Sequence, residues 1–214
     1  MRTGWRTAMF NEKSTFGEIL DYPGMKDFEK FILPLPVEGQ DGGVPMAEDM
    51  KNLSLKKMTS LITAWNPKSI SDGFNAIAEN LRKGRKTEYE IYTPEEIAED
   101  PSKERTGIVW FPSGQKGPFA IICAGGAYMN VASISEAFPT AARLSNIGIT
   151  AFVLQYRAGV KGAAEKSEED LRRAVTFVMT HSEKFGVEKR YAAFGFSAGG
   201  HLVAELGTEN EGYK

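Results

Sequence analysis

Residues 191–206 have the sequence YAAFGFSAGGHLVAEL, in which an apolar strand leads to a serine between glycines and then to an apolar helical start. The pattern Gly195-x-Ser197-x-Gly199 is weak alone, but its place between a strand and a helix is that of a nucleophile elbow. Such a turn strains the serine backbone, and the two glycines relieve the clash where strand and helix cross. A phosphate-binding glycine turn is the alternative, but no G-x-G-x-x-G and no Lys-Ser/Thr pair accompanies it. Ser197 is therefore the predicted nucleophile.

A second glycine-containing loop, residues 124–128 with the sequence AGGAY, follows the apolar strand 119–123. Acyl transfer needs backbone N–H groups directed at the developing oxyanion, and a glycine-rich loop at this place supplies them. Ala198, which follows the predicted nucleophile, offers a further N–H. A plain tight turn is the alternative for the loop, and the two motifs together are stronger evidence than either alone.

The second half of the chain alternates between strand and helix patterns. Five strands are predicted, at residues 89–92, 108–111, 119–123, 149–155 and 191–196. Nearly continuous apolar strands are typical of a sheet covered on both faces, so an α/β fold with a mostly parallel, doubly covered sheet is predicted.

Local signals mark the ends of the predicted helices. Residues 93–96 (TPEE), 133–136 (SISE) and 167–170 (SEED) resemble N-terminal caps, and Gly148 and Gly186 resemble helix stops. The acidic run 168–170 is interpreted as a charge cluster in a first helical turn, where the helix dipole favours it.

Residues 1–86 lack the alternation of strand and helix patterns seen in the second half of the chain. They form a predicted helical N-terminal extension, followed by a second unit at 87–214. Short helices are predicted at 16–20, 25–32, 50–64 and 70–82, separated by Pro- and Gly-containing turns. The extension is expected to act as a lid or pocket wall, or to pack against the sheet.

Composition excludes several classes of function. A formal net charge of −2 argues against a nucleic-acid-binding surface, and no apolar run is long enough for a membrane-spanning helix. The N-terminus lacks the apolar stretch of a secretory signal, so a cytoplasmic location is predicted. The single cysteine, Cys123, is expected to be a buried structural residue, and no residue spacing suggests a metal or a cofactor.

Three segments resemble the α/β-hydrolase superfamily: residues 122–128 (ICAGGAY), 152–157 (FVLQYR) and 195–202 (GFSAGGHL). Within it they are most similar to small carboxylesterases of the lipase/esterase group, including acetyl-xylan and feruloyl esterase-like enzymes, over residues 87 to 207. The resemblance implies that Ser197 is the nucleophile and that the amides of Gly126, Ala127 and Ala198 form the oxyanion hole. The family loop usually contains three consecutive glycines, whereas this loop has alanine on both sides of its glycine pair.

The chain has only two histidines, His181 and His201. In the superfamily the triad order is serine, acid, histidine, yet only 17 residues follow Ser197. His201, four positions along the same helix, is poorly placed as a base, and His181 is expected to pack at a helix end. We therefore expect a fragment, truncated after the elbow helix, with the triad acid and histidine beyond residue 214 and little activity in this chain alone.

The predicted function is hydrolysis of small or short-chain carboxylic esters through an acyl-enzyme on Ser197. Two alternatives remain: a serine peptidase of the prolyl-oligopeptidase type, and a non-catalytic binding protein with this fold if the chain is complete. The sequence determines neither the natural ester nor the oligomeric state.

Overall fold

The computed structural model describes residues 9–28, 51–60 and 65–208, and its centre is a five-stranded sheet with the order β1-β2-β4-β3-β5. The strands are β1 (Glu88–Glu90), β2 (Gly107–Phe111), β3 (Phe119–Cys123), β4 (Ala151–Gln155) and β5 (Tyr191–Gly195). β2 is antiparallel to both of its neighbours, whereas β3 is parallel to β4 and to β5. Four of the five strands therefore run in one direction, which confirms the predicted mostly parallel sheet.

Helices surround the sheet. They are α1 (Phe16–Leu20), α2 (Leu55–Thr59), α3 (Pro67–Arg82), α4 (Pro94–Glu99), α5 (Phe138–Asn146), α6 (Ala163–Thr180), α7 (Ser182–Phe185) and α8 (Ala198–Thr208), with 3₁₀ turns at Lys26–Phe28 and Pro101–Arg105 and a π-helical turn at Ser133–Ala137. No helix within the described ranges is long and apolar enough to cross a membrane.

Strands β2, β3 and β4 bury side chains on both faces, as predicted. The predicted double cover is wrong for β5, an edge strand of the described sheet, where Ala192 and Phe194 are exposed. Val109 and Val153 face one core, in which Phe74 of α3 and Phe138 of α5 meet with ring centroids 6.0 Å apart. Alternate strand residues such as Phe152 face a second core formed with α6 and α7. The described N-terminal helices pack in the first core, and a role for residues 1–86 as a lid or pocket wall stays a prediction.

The N-terminal helices follow the predictions in part. The predictions at 16–20 and 70–82 are confirmed by α1 and α3. The predicted helix 25–32 begins as a 3₁₀ turn, and residues 29–32 lie outside the described residues. One continuous helix at 50–64 is wrong for the described residues 51–60, because Ser54 pairs with Thr15 and caps the separate helix α2; residues 50 and 61–64 lie outside the described part.

Two of the predicted caps are wrong. The cap at Thr93 is confirmed as a capping box. Ser133, however, begins a π-helical turn without a side-chain cap, and its hydroxyl donates instead to Gln155 Oε1 at 2.8 Å. Gly148 and Gly186 end helices with φ angles of 96° and 65°, as expected for helix stops.

The second wrong cap lies in α6, which begins at Ala163 rather than near Ser167. Ser167 lies inside the helix and donates its hydroxyl proton to the Ala164 carbonyl at 2.7 Å. The acidic residues Glu169 and Asp170 are therefore not a first-turn charge cluster, and both contact Arg157.

Candidate active site

Ser197 lies in the turn between β5 and α8, and its side chain is exposed. Its φ angle is +48°, in the left-handed region that residues other than glycine rarely adopt. Such a conformation costs about 1–3 kcal/mol and persists where neighbouring contacts hold it. Here Gly199 N donates to the Phe196 carbonyl at 2.8 Å, and Gly200 N donates to the Ser197 carbonyl at 2.9 Å.

The two motif glycines lie where the strand and the helix cross closely. A Cβ atom on Gly195 would lie 2.6 Å from Gly200 Cα, and one on Gly199 would lie 2.6 Å from the carbonyl carbon of Cys123. Carbon atoms in ordinary contact are about 3.5–4.0 Å apart, so a side chain at either position would displace backbone. This crossing is the geometry for which the two glycines were predicted.

The loop 124–128 lies directly beside this turn. A Cβ atom on Gly125 would be 2.9 Å from Ser197 Cβ, so the loop backbone and the serine are neighbours. Phe196 N donates to the Cys123 carbonyl at 3.1 Å and joins the ends of the two strands from which the loop and the turn emerge. The two motifs that are distant in sequence therefore meet at the carboxyl edge of the parallel strands.

Hydrogen bonds to the loop carbonyls set the direction of its amides. Ala132 N donates to the Gly125 carbonyl at 2.9 Å, and Met129 N donates to the Gly126 carbonyl at 3.0 Å. In a trans peptide unit the N–H points opposite to the C=O, so the amides of Gly126 and Ala127 point away from these donors. Within the described residues, neither of these amides donates a hydrogen bond, and the Ala198 amide at the start of α8 also has no acceptor.

Two non-glycine residues of the loop adopt left-handed conformations. Ala127 has a φ angle of 54° and Tyr128 one of 58°. Gly126 has a φ angle of 130°, and a Cβ atom there would overlap Asn130. Ala127 and Tyr128 thus hold a backbone conformation that favours glycine, and a side chain at Gly126 would overlap Asn130.

Neither histidine side chain hydrogen-bonds Ser197. His201 Nδ1 lies 2.9 Å from the Tyr128 hydroxyl, and its Nε2 lies 3.5 Å from a Glu205 carboxylate oxygen. His181 ends α6, where its Nδ1 lies 2.8 Å from the Phe177 carbonyl oxygen. The ring nitrogens of His201 thus have partners other than Ser197, and His181 occupies the helix-end position expected for it.

Two side chains that sequence reasoning missed contact the loop. Glu136 Oε2 accepts a hydrogen bond from Gly125 N at 2.6 Å, and the Tyr156 hydroxyl donates to the Ala124 carbonyl at 2.6 Å. Burial raises the pKa of the Tyr156 phenol, so it remains a proton donor. Glu136 was missed because the sequence of residues 133–136 resembles a capping box. The signal that could have indicated Tyr156 is its position in the segment 152–157, which resembles the superfamily.

A buried ionic network holds the segment that follows β4. Arg157 and Asp170 are 2% and 0% exposed, and Arg157 Nε donates to Asp170 at 3.0 Å. Arg157 also bonds Asp100 and Glu169, and its charge, through a side-chain hydrogen bond, lowers the pKa of Glu169. Two residues later, Gly159 N donates to the Tyr128 carbonyl at 2.8 Å, which connects this network to the loop beside Ser197.

Other chemistries have little support among the described residues. No group of three or more His, Cys, Asp or Glu side chains there could hold a metal ion. Cys123 is buried in β3, and burial raises its pKa to about 12.

Comparison with known proteins shows what this chain is similar to. Residues 109–213 match the family model BD-FAE, an esterase family of the α/β-hydrolase type. The crystal structure of an acetyl ester-xyloside bifunctional hydrolase from Caldicellulosiruptor lactoaceticus is 32% identical, covers 59% of this chain and has a TM-score of 0.52. The chain has the α/β-hydrolase fold, and over this stretch it resembles esterases of that type. The resemblance seen in the three sequence segments is confirmed.

Further structures resemble this chain over shorter stretches. A thermophilic esterase from the Planctomycetes species Thermogutta terrifontis is 23% identical over 47% of this chain and 38% of its own, with a TM-score of 0.43. An α/β hydrolase enzyme from a Medee basin deep-sea metagenome library is 24% identical over 51% of this chain and 48% of its own, with a TM-score of 0.44. None of the curated proteins matches. This chain spans 48% of the length of the Caldicellulosiruptor lactoaceticus enzyme.

Proposed function

We propose that this protein is a serine carboxylesterase that cleaves small or short-chain carboxylic esters through an acyl-enzyme on Ser197. The observation that carries this proposal is an exposed serine with left-handed backbone beside amides that have no acceptor in the part of the chain that the structure describes. The similar enzyme from Caldicellulosiruptor lactoaceticus is named for an acetyl ester, which supports a small acyl group in the substrate proposed for this protein. A cytoplasmic location stays a prediction.

The proposed chemistry follows from the positions of these groups. Ser197 Oγ attacks the carbonyl carbon of the ester, and the carbonyl oxygen gains negative charge as the tetrahedral intermediate forms. The amides of Gly126, Ala127 and Ala198 then donate to that oxygen. The alcohol leaves, and water releases the acid from the acyl-serine. One such donor contributes about 10²–10³-fold to turnover in a well-studied protease.

A serine hydroxyl needs a base to accept its proton during the attack. His201 is a poor candidate because its ring nitrogens lie against Tyr128 and Glu205. His181 is engaged at the end of α6. We propose that the triad histidine and its acid come from outside residues 1–214, and that these residues alone turn over esters very slowly.

The test uses the full-length protein, a fluorophosphonate probe and p-nitrophenyl acetate. The proposal expects one probe adduct, located on Ser197 by peptide mass spectrometry, and ester turnover that Ser197→Ala abolishes. Ser69→Ala, a serine of α3, is the matched control and should leave labelling and turnover unchanged. Absence of both labelling and turnover in the wild type contradicts the proposal, and hydrolysis of peptides in preference to esters supports the peptidase alternative.

A further inference from the structure

One peptide unit of the loop, between Ala124 and Gly125, is held at both ends by side chains. Its C=O accepts from the Tyr156 hydroxyl at 2.6 Å, and its N–H donates to Glu136 Oε2 at 2.6 Å. Since C=O and N–H point in opposite directions in a trans unit, the two side chains hold the plane from opposite sides. A hydrogen bond to a carboxylate is also stronger than one between neutral groups.

This restraint matters because two glycines follow. Glycine has no Cβ atom and rotates freely about its backbone bonds, so an unrestrained Gly125-Gly126 pair could turn its peptide planes in several ways. The orientation of the plane before Gly125 affects where the amides of Gly126 and Ala127 point. Glu136 and Tyr156 hold that plane, and Ala132 N and Met129 N hold the next two through the Gly125 and Gly126 carbonyls, so these restraints together keep the two amides in one direction.

Glu136 reaches this place from the π-helical turn Ser133–Ala137, and such turns are frequent at functional sites. A Cβ atom on Gly125 would lie 3.2 Å from Glu136 Oε2 and 2.9 Å from Ser197 Cβ, so the carboxylate and the serine flank the same α-carbon. The Oε2 atom is occupied by the Gly125 amide. Its role is thus to accept a backbone hydrogen bond beside the nucleophile.

We propose that Glu136 is a positioning residue that holds the loop 124–128 in the conformation in which its free amides can stabilise an oxyanion. This inference rests on the proposed esterase function. Glu136 acts through Gly125 and does not touch the substrate.

The test compares Glu136→Ala and Glu136→Gln in the full-length protein, with Glu183→Ala as a control that removes one exposed acidic side chain in α7. A misplacement of about 1 Å in an active site costs about 100-fold in rate, so Glu136→Ala should lower kcat roughly 10- to 100-fold with little change in KM. Glu136→Gln keeps an amide oxygen that accepts from Gly125, and we expect it to restore kcat to within about fivefold of wild type. Glu183→Ala should match wild type.

Hydrogen exchange of the Gly125 amide, followed by NMR, reports on the hydrogen bond without any turnover. We expect the Gly125 amide to exchange at least about tenfold faster in Glu136→Ala, which corresponds to a loss of about 1.4 kcal/mol in the free energy of opening its hydrogen bond. In Glu136→Gln and Glu183→Ala the exchange rate should stay close to that of the wild type. The melting temperature is recorded for each variant so that a general loss of stability is recognised.

Three results would overturn the inference: wild-type kcat in Glu136→Ala, equal loss in Glu136→Gln and Glu136→Ala, or unchanged exchange at Gly125. Equal loss would indicate a role for the charge or for proton transfer. If the wild type is not labelled at Ser197, the proposed function itself fails together with the catalytic part of the inference. Exchange at Gly125 then still decides whether Glu136 holds the loop.

Discussion

Replacing Gly199 by alanine tests the close crossing of α8 and β3 on which the position of Ser197 depends. The new Cβ atom would lie 2.6 Å from the carbonyl carbon of Cys123, about 1 Å inside ordinary carbon–carbon contact. The obstacle is the backbone of β3, which hydrogen-bonds to β4 and β5 and cannot rotate away as a side chain would. The helix or the strand must therefore move.

The magnitude follows from this overlap. Overpacking a core costs about 1–3 kcal/mol, and the rigid neighbour places Gly199→Ala near about 3 kcal/mol. The adjacent Gly200 provides the matched control, because its Cβ atom would meet the Gly195 carbonyl oxygen at 3.4 Å, an ordinary contact. Gly200→Ala should stabilise α8 by about 0.5–1 kcal/mol, since alanine favours the helix more than glycine does.

Urea denaturation measures both variants through the midpoint at a constant slope. We expect Gly199→Ala to lower the free energy of unfolding by about 3 kcal/mol and the melting temperature by about 6–12 °C. Fluorophosphonate labelling of Ser197 should fall in Gly199→Ala and persist in Gly200→Ala. Equal stability of the two variants would refute the reasoning, because it would mean that helix and strand do not approach closely at Gly199.

Three further predictions concern buried or neighbouring groups. Asp170→Ala removes the buried partner of the buried Arg157 charge and should lower the free energy of unfolding by about 3 kcal/mol. Glu169→Ala removes a partner that is 54% exposed and should lower it by less than about 1 kcal/mol in the same denaturation assay. His201→Ala should change ester turnover by less than about tenfold, and a loss near the millionfold expected for a triad histidine would restore it as the base. Burial raises the pKa of Cys123 to about 12, so only about one thiol in ten thousand is ionised at pH 8. Iodoacetamide should therefore label Cys123 only in urea. Rapid labelling of the folded protein would contradict its burial.

Much of the fold could be predicted from local patterns. Strands β2, β3 and β4 were found because both faces of the sheet are covered there, which makes their sequences almost continuously apolar. The turn at Ser197 was found because its glycines have a steric cause that reads directly from the sequence. The cap at Thr93 was equally local, since its partner lies only three residues away.

The caps predicted at Ser133 and Ser167 failed for different reasons. The Ser133 hydroxyl bonds to Gln155 on another strand, whereas Ser167 lies inside a helix that already begins at Ala163 and bonds to the Ala164 carbonyl. In both segments an acidic side chain bonds to a residue outside the helix. Ser133 reaches Gln155, Glu136 reaches Gly125, and Asp170 reaches Arg157. A local pattern cannot distinguish a cap from such long-range partners, because the same side chains serve both.

The sequence by itself determined the α/β class, the strand positions and the serine turn, since each depends on burial or sterics within a few residues. Only the tertiary structure showed that the loop 124–128 lies against that turn and that the amides of Gly126, Ala127 and Ala198 have no acceptor among the described residues. It also showed that both ends of the peptide unit before Gly125 are held by side chains. The direction of the amides depends on which groups donate hydrogen bonds to the carbonyls of the loop. Residues that are far apart in the chain meet there only after the sheet has formed.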